Sequence, residues 1–265
     1  MTFCAALLAA TAGAPAFAQS ATTTAQSENR PFTLSTRNSQ RAFPSVFGVS
    51  SAFPAPGGTV YGALTYTTPR GGVAGNGGDA DISLGFGVGS PTKNVGLNFG
   101  VDITGTQPLG DAGSFSLSLS RALSVRSNSA TLASISASQI GGFGTSKGVP
   151  VKYSVTVSHL TSLGAAGNEF PLMLSAGYAT RNTFSKTAIG TLSDGFFVGA
   201  GVGVAKNLAL SMSATQTQVN LGASTTIPGL KGVSVSLGVY DVTNSVQRRQ
   251  TALTVSYAMS NVFGR

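Results

Sequence analysis

Charge is the first scarcity of this sequence. Only 9% of its 265 residues are Asp, Glu, Lys or Arg, against about 25% in an ordinary soluble domain. So small a share cannot solvate a normal globular surface. Yet a hydrophobic fraction of 42% and a mean hydropathy of +0.22 exclude a charged, disordered tail. Long apolar runs are missing as well. A membrane-spanning helix needs about 18 or more nearly unbroken apolar residues. Beyond the N-terminus the longest weakly polar run, Phe196 to Ala205, is broken by three glycines. Tryptophan is absent, and the chain has one histidine and one cysteine.

The single cysteine, Cys4, falls in an apolar N-terminal stretch that ends in Ala16-Phe17-Ala18. That small-x-small triplet has the form of a signal-peptidase site, so residues 1–18 are expected to be a cleavable signal peptide. The basic n-region that usually precedes such a stretch is missing, and translation is expected to start upstream. Cys4 lacks the Leu-x-x-Cys context of a lipoprotein. The exported chain would hold no cysteine, which excludes disulfides, thiol catalysis and thiolate metal sites. Residues 19–57 read as a polar leader rich in Ser, Thr, Ala and Gln, then punctuated by Arg30, Arg37, Arg41, Pro44, Pro54 and Pro56. Its two readings are a disordered segment and a plug within the fold.

From residue 58 to 265 the dominant pattern has period two. Ile82, Leu84, Phe86 and Val88 alternate with Ser83, Gly85 and Gly87; Val95 to Ile103 alternate with Gly96, Asn98, Gly100 and Asp102. The same alternation recurs around Phe115, Val155, Leu174, Val198, Leu210, Val235 and Val255. Successive strand side chains point to opposite faces, so each segment has one apolar and one small polar face. Val60–Tyr66 and fainter segments at 130–138 and 218–226 bring the total to about ten to twelve strands. Around Ala214–Val219 the pattern leaves little room for a loop, and one long strand is an alternative there.

A soluble sandwich also alternates, but its water-facing side carries Lys and Glu; here the polar face is Gly, Ser, Thr and Asn. Segments of about nine to eleven residues suit a tilted strand crossing a bilayer. Lipid demands that every backbone polar group be paired internally, which for strands requires closure. Long connections such as Thr67–Gly78 and Thr104–Gly113 roughly alternate with short ones such as Ser90–Lys93 and Ala205–Asn207, as in transmembrane barrels. The expected fold is all-β: a transmembrane antiparallel up-and-down β-barrel.

The leader, the cysteine-free exported chain, the repeated amphipathic strands and the last strand together resemble the outer-membrane β-barrel proteins of Gram-negative bacteria, in particular the porin-like ones. In that class the barrel-assembly machinery recognises a terminal strand of alternating apolar residues ending in an aromatic. Leu253, Val255, Tyr257, Met259 and Phe263 share one parity, although Asn261 interrupts the stripe and Gly264-Arg265 follow the aromatic. The resemblance is one of pattern and names no subfamily. It implies localisation in the outer membrane, contact with lipid and lipopolysaccharide, and docking on the assembly machinery.

The formal net charge is +8. By strand parity Asp81, Asp102, Lys152 and Arg248 fall within strands and face the lumen, so they are the candidate pore-lining residues. Most other charges, including Arg70, Lys93, Arg121, Arg126, Lys147, Arg181, Lys186, Lys206 and Lys231, fall in turns or at strand ends. They either meet anionic head groups or lipopolysaccharide phosphates or simply solvate the loops. No basic cluster interleaves with aromatics, so nucleic acid is not an expected partner.

Chemical motifs are sparse. Gly85-Phe86-Gly87-Val88-Gly89 and Gly199-Ala200-Gly201-Val202-Gly203 imitate phosphate loops, but their strict period of two lies inside strands rather than at a strand-to-helix turn. His159 shares the outward parity of Val155 and Val157, while Ser158 beside it points to the other face, leaving only a cross-strand serine as a nucleophile. No cofactor, metal or catalytic residue is expected. The leading function is a passive porin-like channel for small hydrophilic solutes. The alternatives are a non-conducting structural or surface barrel of the envelope and an exported soluble β-protein.

Overall fold

A computed structural model describes residues 41–106, 109–164, 169–185 and 191–262. Within them twelve antiparallel strands close into a barrel. In chain order these are β1 (Thr59–Thr68), β2 (Asp79–Gly89), β3 (Gly96–Thr104), β4 (Ala112–Arg126), β5 (Ser129–Gly144) and β6 (Lys152–Leu163). There follow β7 (Phe170–Phe184), β8 (Leu192–Gly203), β9 (Leu208–Thr215), β10 (Val219–Thr226), β11 (Val233–Tyr240) and β12 (Gln250–Met259). Each strand pairs with its sequence neighbours, and β1 closes the ring against β12, with Val60 opposite Met259 and Thr68 opposite Thr251. Among the described residues no helix is long and apolar enough to cross a membrane. The expected signal peptide, leader residues 19–40 and Phe263 lie outside the described residues.

The period-two pattern places the two faces as expected. Phe86 lies opposite Phe99, and Phe99 opposite Leu117, in an outward row that wraps the barrel. The two rings stack 5.3 Å apart. Outward residues stay exposed: Leu84, Val155 and Phe196 keep 52%, 57% and 64% of their accessible surface. An apolar exterior running round the whole circumference far exceeds the patches that water-soluble monomers tolerate and suits hydrocarbon. Inward rows are small and polar, as where Ser118, Ser136 and Ser154 stand side by side on β4, β5 and β6. Their hydroxyls satisfy one another, with Ser136 and Ser154 2.7 Å apart and Ser234 and Ser256 2.6 Å apart.

Two strand expectations change. The 214–219 stretch is not one long strand: residues 216–218 turn the chain, with Thr215 N–H donating to Gln218 C=O at 2.9 Å. The Thr215 hydroxyl also accepts from Gln218 N–H at 3.2 Å, so a side chain that reads as strand-forming stabilises the turn. Strands β4, β5 and β7 span 15, 16 and 15 residues rather than nine to eleven. Register shifts in β4–β5 and β7–β8 absorb the extra residues. Connections 69–78, 145–151 and 241–249, the tight turn 216–218 and the C-terminal ends of β3 and β7 mark one end, the loop rim. Connections 90–95, 127–128, 204–207 and 227–232 and the C-terminal end of β6 mark the other, the turn rim.

The barrel is not empty. Residues 41–57 run inside it, entering and leaving by the turn rim. Ala42 N–H donates to Ala205 C=O at 2.8 Å, and the Arg41 guanidinium lies 3.8 Å from the centre of the Phe170 ring. The segment climbs until the Phe47 ring sits 4.5 Å from that of Tyr240, near the loop rim. It reverses at Gly48, whose φ of +81° is one that an L side chain rarely adopts. It descends past Ser158, whose hydroxyl accepts from Ala52 N–H at 2.9 Å, and Gly58 N–H donates to Gly87 C=O at 2.9 Å just before β1. The wall is shaped for it: a Cβ on Gly201 would collide with the Ser45 carbonyl.

Val46, Val49, Ala52 and Phe53 from this segment pack with inward Leu132, Leu160, Met173, Ala179 and Phe197 into a closed apolar core. Fully burying each of the larger side chains is worth about 1.5–3 kcal/mol. Met173 is fully buried there, whereas Met212 points outward and is 56% exposed. Met173→Ala is therefore expected to cost about 2–5 kcal/mol, read as a lower urea midpoint of the refolded protein in detergent. Met212→Ala should leave that midpoint nearly unchanged.

Candidate pore lining

The interior divides into two halves. Toward β5–β8 the inner segment and the wall form the apolar core. Toward β3–β6 the wall stays polar and encloses a cavity of about 60 Å³. Ser50 of the inner segment, Tyr61, Asn98, Asp102, Lys152 and Ser154 are among its lining residues. A cavity of this size has room for a few water molecules. Asp102 and Lys152, two of the four residues picked by parity, thus face one space from separate strands, one anionic and one cationic.

Asp102 is buried, and its carboxylate accepts from the Ser83 hydroxyl at 2.6 Å. The Lys152 ammonium donates to the Asn182 side-chain carbonyl oxygen at 3.4 Å. The Asn182 amide nitrogen is buried without a protein partner. The carboxylate and the ammonium thus bring opposite charges to one small cavity.

The other two parity picks lie elsewhere. Asp81 faces inward but is engaged by Arg70 of the 69–78 connection, which donates two bonds at 2.8 and 2.6 Å in a bidentate ion pair. Burial works against the Arg70 cation, and the hydrogen bonds and charge of Asp81 outweigh it, holding its pKa above the ordinary guanidinium value. Asp81 also accepts from Gly105 N–H at 2.9 Å, and Asp79 from Thr106 N–H at 3.0 Å. Two carboxylates at the start of β2 therefore tie down two loops.

Arg248 is not within a strand. It lies in the 241–249 connection, because the Asp241 carboxylate accepts from the N–H groups of Ser245, Val246 and Arg248 at 2.8, 3.2 and 3.1 Å and curls the chain before β12 begins. Its guanidinium donates to Gly71 C=O at 3.1 Å and stands 5.3 Å from the centre of the Phe184 ring. Arg248 is thus a clasp between two loops at the rim. Sequence reasoning did not single out Asp241, although the Asp-Val-Thr-Asn-Ser run carries an Asx-turn composition. It also left out inward-facing Leu132, Leu160, Met173 and Phe197.

The remaining motifs resolve simply. Both glycine-rich repeats sit within strands β2 and β8. Ser158 points inward and shares a 2.7 Å contact with Ser175. His159 on the outward face pairs with the Thr131 hydroxyl of β5, Nδ1 to Oγ1 at 2.8 Å, so its cross-strand partner is a threonine. Among the described residues no three His, Cys, Asp or Glu converge as a metal site would require.

No protein-family model matches this sequence, and no curated protein matches it in sequence. Solved structures match its shape. The KdgM porin in complex with disordered oligogalacturonate aligns with a TM-score of 0.51 and 10% identity, covering 76% of this chain and 98% of that one. The NanC porin aligns with a TM-score of 0.50 and 6% identity over 76% of this chain and 98% of its own. Outer membrane phospholipase A from Escherichia coli gives a TM-score of 0.43 at 15% identity, covering 83% and 98%. The fold is that of the outer-membrane porin barrels.

The Arg70–Asp81 pair supports a test of its own. Arg70 is 8% and Asp81 19% exposed in the side chain, so removing one partner strands a largely dehydrated charge, at about 3 kcal/mol. Arg70→Ala is expected to release the 69–78 connection, read as faster protease cleavage within 69–78 while the barrel resists. Arg248→Ala, which loses only the Gly71 contact and the ring, should loosen it less.

Proposed function

We propose that this protein is a porin-like channel of the Gram-negative outer membrane, passing small hydrophilic solutes through a lumen narrowed by residues 41–57. The observation that carries the reading is the division of the interior. Serines line one side around a small cavity with Asp102 and Lys152, while the inner segment fills the other. A purely structural barrel has no need of a polar, incompletely filled half. By the usual arrangement of such barrels the turn rim faces the periplasm and the loop rim the outside, reached after removal of a signal peptide at residues 1–18. The C-terminal strand would engage the assembly machinery.

An enzymatic role is the weaker reading. His159 bonds a threonine on the outward face, and a nucleophile–base pair needs a third group to orient the base and donors for the developing oxyanion; no third group is bonded to His159 among the described residues. One observation favours a non-conducting envelope barrel instead: the apolar packing of Val46, Val49 and Phe53 holds the inner segment firmly.

Single-channel recording of the refolded full chain in a planar bilayer under a salt gradient separates the two, with a heat-shift gel confirming the folded barrel. Small, discrete conductance steps are expected for the channel. Lys152→Ala should move the reversal potential toward cation preference, because Asp102 then stands alone in the cavity. A folded, inserted and silent protein would overturn the channel in favour of the structural reading.

A further inference from the structure

The two rims differ in charge. Among the described residues, Asp79, Asp81, Asp102, Asp111, Asp194 and Asp241 all lie in the half toward the loop rim. The turn rim carries exposed Lys93, Arg126, Lys206 and Lys231 in its connections or at strand ends, with Glu169 as its acidic residue. Exposed bases at turns merely solvate a rim unless one of them faces lipid, and one does. Arg121 occupies the outward column of β4, between Leu119 and Leu123, both of which are exposed.

Its surroundings converge on the same edge. Ala122 N–H donates to Pro91 C=O at 2.8 Å, which fastens the 90–95 turn beside β4 at the level of Arg121. Lys93 follows Pro91 by two residues in that turn, and Arg126 ends the same strand. Among the described residues the side chains of these three make no hydrogen bond or ion pair. Leu123, 63% exposed, continues the outward apolar column beside Arg121, and the register shift after Ala122 turns Arg126 to the same face, opposite Ser129. A guanidinium at the edge of hydrocarbon requires an anion or water there. Its planar fork matches the two oxygens of a phosphodiester.

We infer that Arg121, with Lys93 and Arg126, forms a binding site for the head group of an anionic glycerophospholipid at the periplasmic leaflet. Arg121 holds the phosphodiester from the barrel side, Lys93 from the 90–95 turn and Arg126 from the end of β4, and Leu123 lies against the acyl chains. The inference rests on the barrel being in a membrane, not on its conducting anything. A glycerophospholipid is the occupant because the site lies on the turn rim, where the leaflet is built of such lipids. Lipopolysaccharide phosphates would be met on the loop rim.

Native mass spectrometry of the refolded full chain in neutral detergent tests the site, with phosphatidylglycerol, phosphatidylcholine and lipid A added separately. Phosphatidylglycerol should be retained at least tenfold better than phosphatidylcholine. The Arg121→Ala/Lys93→Ala double variant should lose on the order of tenfold or more of that retention, and Arg121→Lys should keep part of it. Lys206→Ala/Lys231→Ala, on the far side of the same rim, should bind as wild type, which separates a built site from general rim charge. A heat-shift gel verifies folding. If the double variant fails to fold, Arg121→Gln is read in its place and should weaken retention several-fold. Equal retention of the two phospholipids, an unchanged double variant, or lipid A retained best and lost in the double variant would each overturn the assignment.

Discussion

A strand in hydrocarbon has nowhere to send its backbone N–H and C=O groups except to another strand, and each group left unpaired costs several kcal/mol. The pairing of β1 with β12 meets that demand for the whole chain at once. Without it both strands become raw edges, and the remaining ladders still leave a sheet with two unsatisfied sides. Closure in turn fixes the rest. It forces an inside and an outside on every strand, so apolar residues collect on one parity and Gly, Ser and Asn on the other. It also puts the connections on two rims, where alone water can reach them.

Closing a twelve-stranded ring creates a second demand, because small inward side chains leave space that must be filled by water or by protein. This barrel fills one side with protein and leaves a polar cavity on the other. The wall of β5–β8 turns Leu132, Leu160, Met173 and Phe197 inward to meet Val46, Val49 and Phe53. The wall of β3–β6 keeps its serines and holds a cavity instead. Glycines on the wall let the inner chain approach it closely: Gly201 on β8 meets the Ser45 backbone, and Gly222 on β10 and Gly238 on β11 make room for the Phe47 side chain.

The closed barrel was legible because alternation is imposed by lipid on nearly every strand, and β2, β3, β6, β8 and β12 obey it closely. Strand β5 was faint because small residues occupy much of both its faces. The inward apolar residues were hidden for the opposite reason: Leu160, Met173 and Phe197 each sit beside an outward residue in runs such as Leu172-Met173-Leu174 and Phe196-Phe197. Parity placed Asp102 and Lys152 on the lumen side but cannot see partners. Arg70 reaches Asp81 from a loop, and the coil that Asp241 imposes moves Arg248 out of its strand. Such effects belong to loop geometry, which no periodicity encodes. A plug was one of two readings of the leader but had no periodic signal behind it, because the apolar course of residues 41–57 follows the wall's shape rather than a repeat of its own.

The inner segment comes in past Ala42 and goes out at Gly58, and both points lie on the turn rim. A chain that crossed the barrel from rim to rim would have to be threaded, either before the last strand closed or by pulling a free end through. A loop held by both ends at one rim is topologically a finger in a thimble. It can be pushed in after the ring has closed and drawn out again without breaking a single rung of the ladder. The order in which wall and filling assemble is therefore left free by the fold, and the wall can exist whole with the finger outside it.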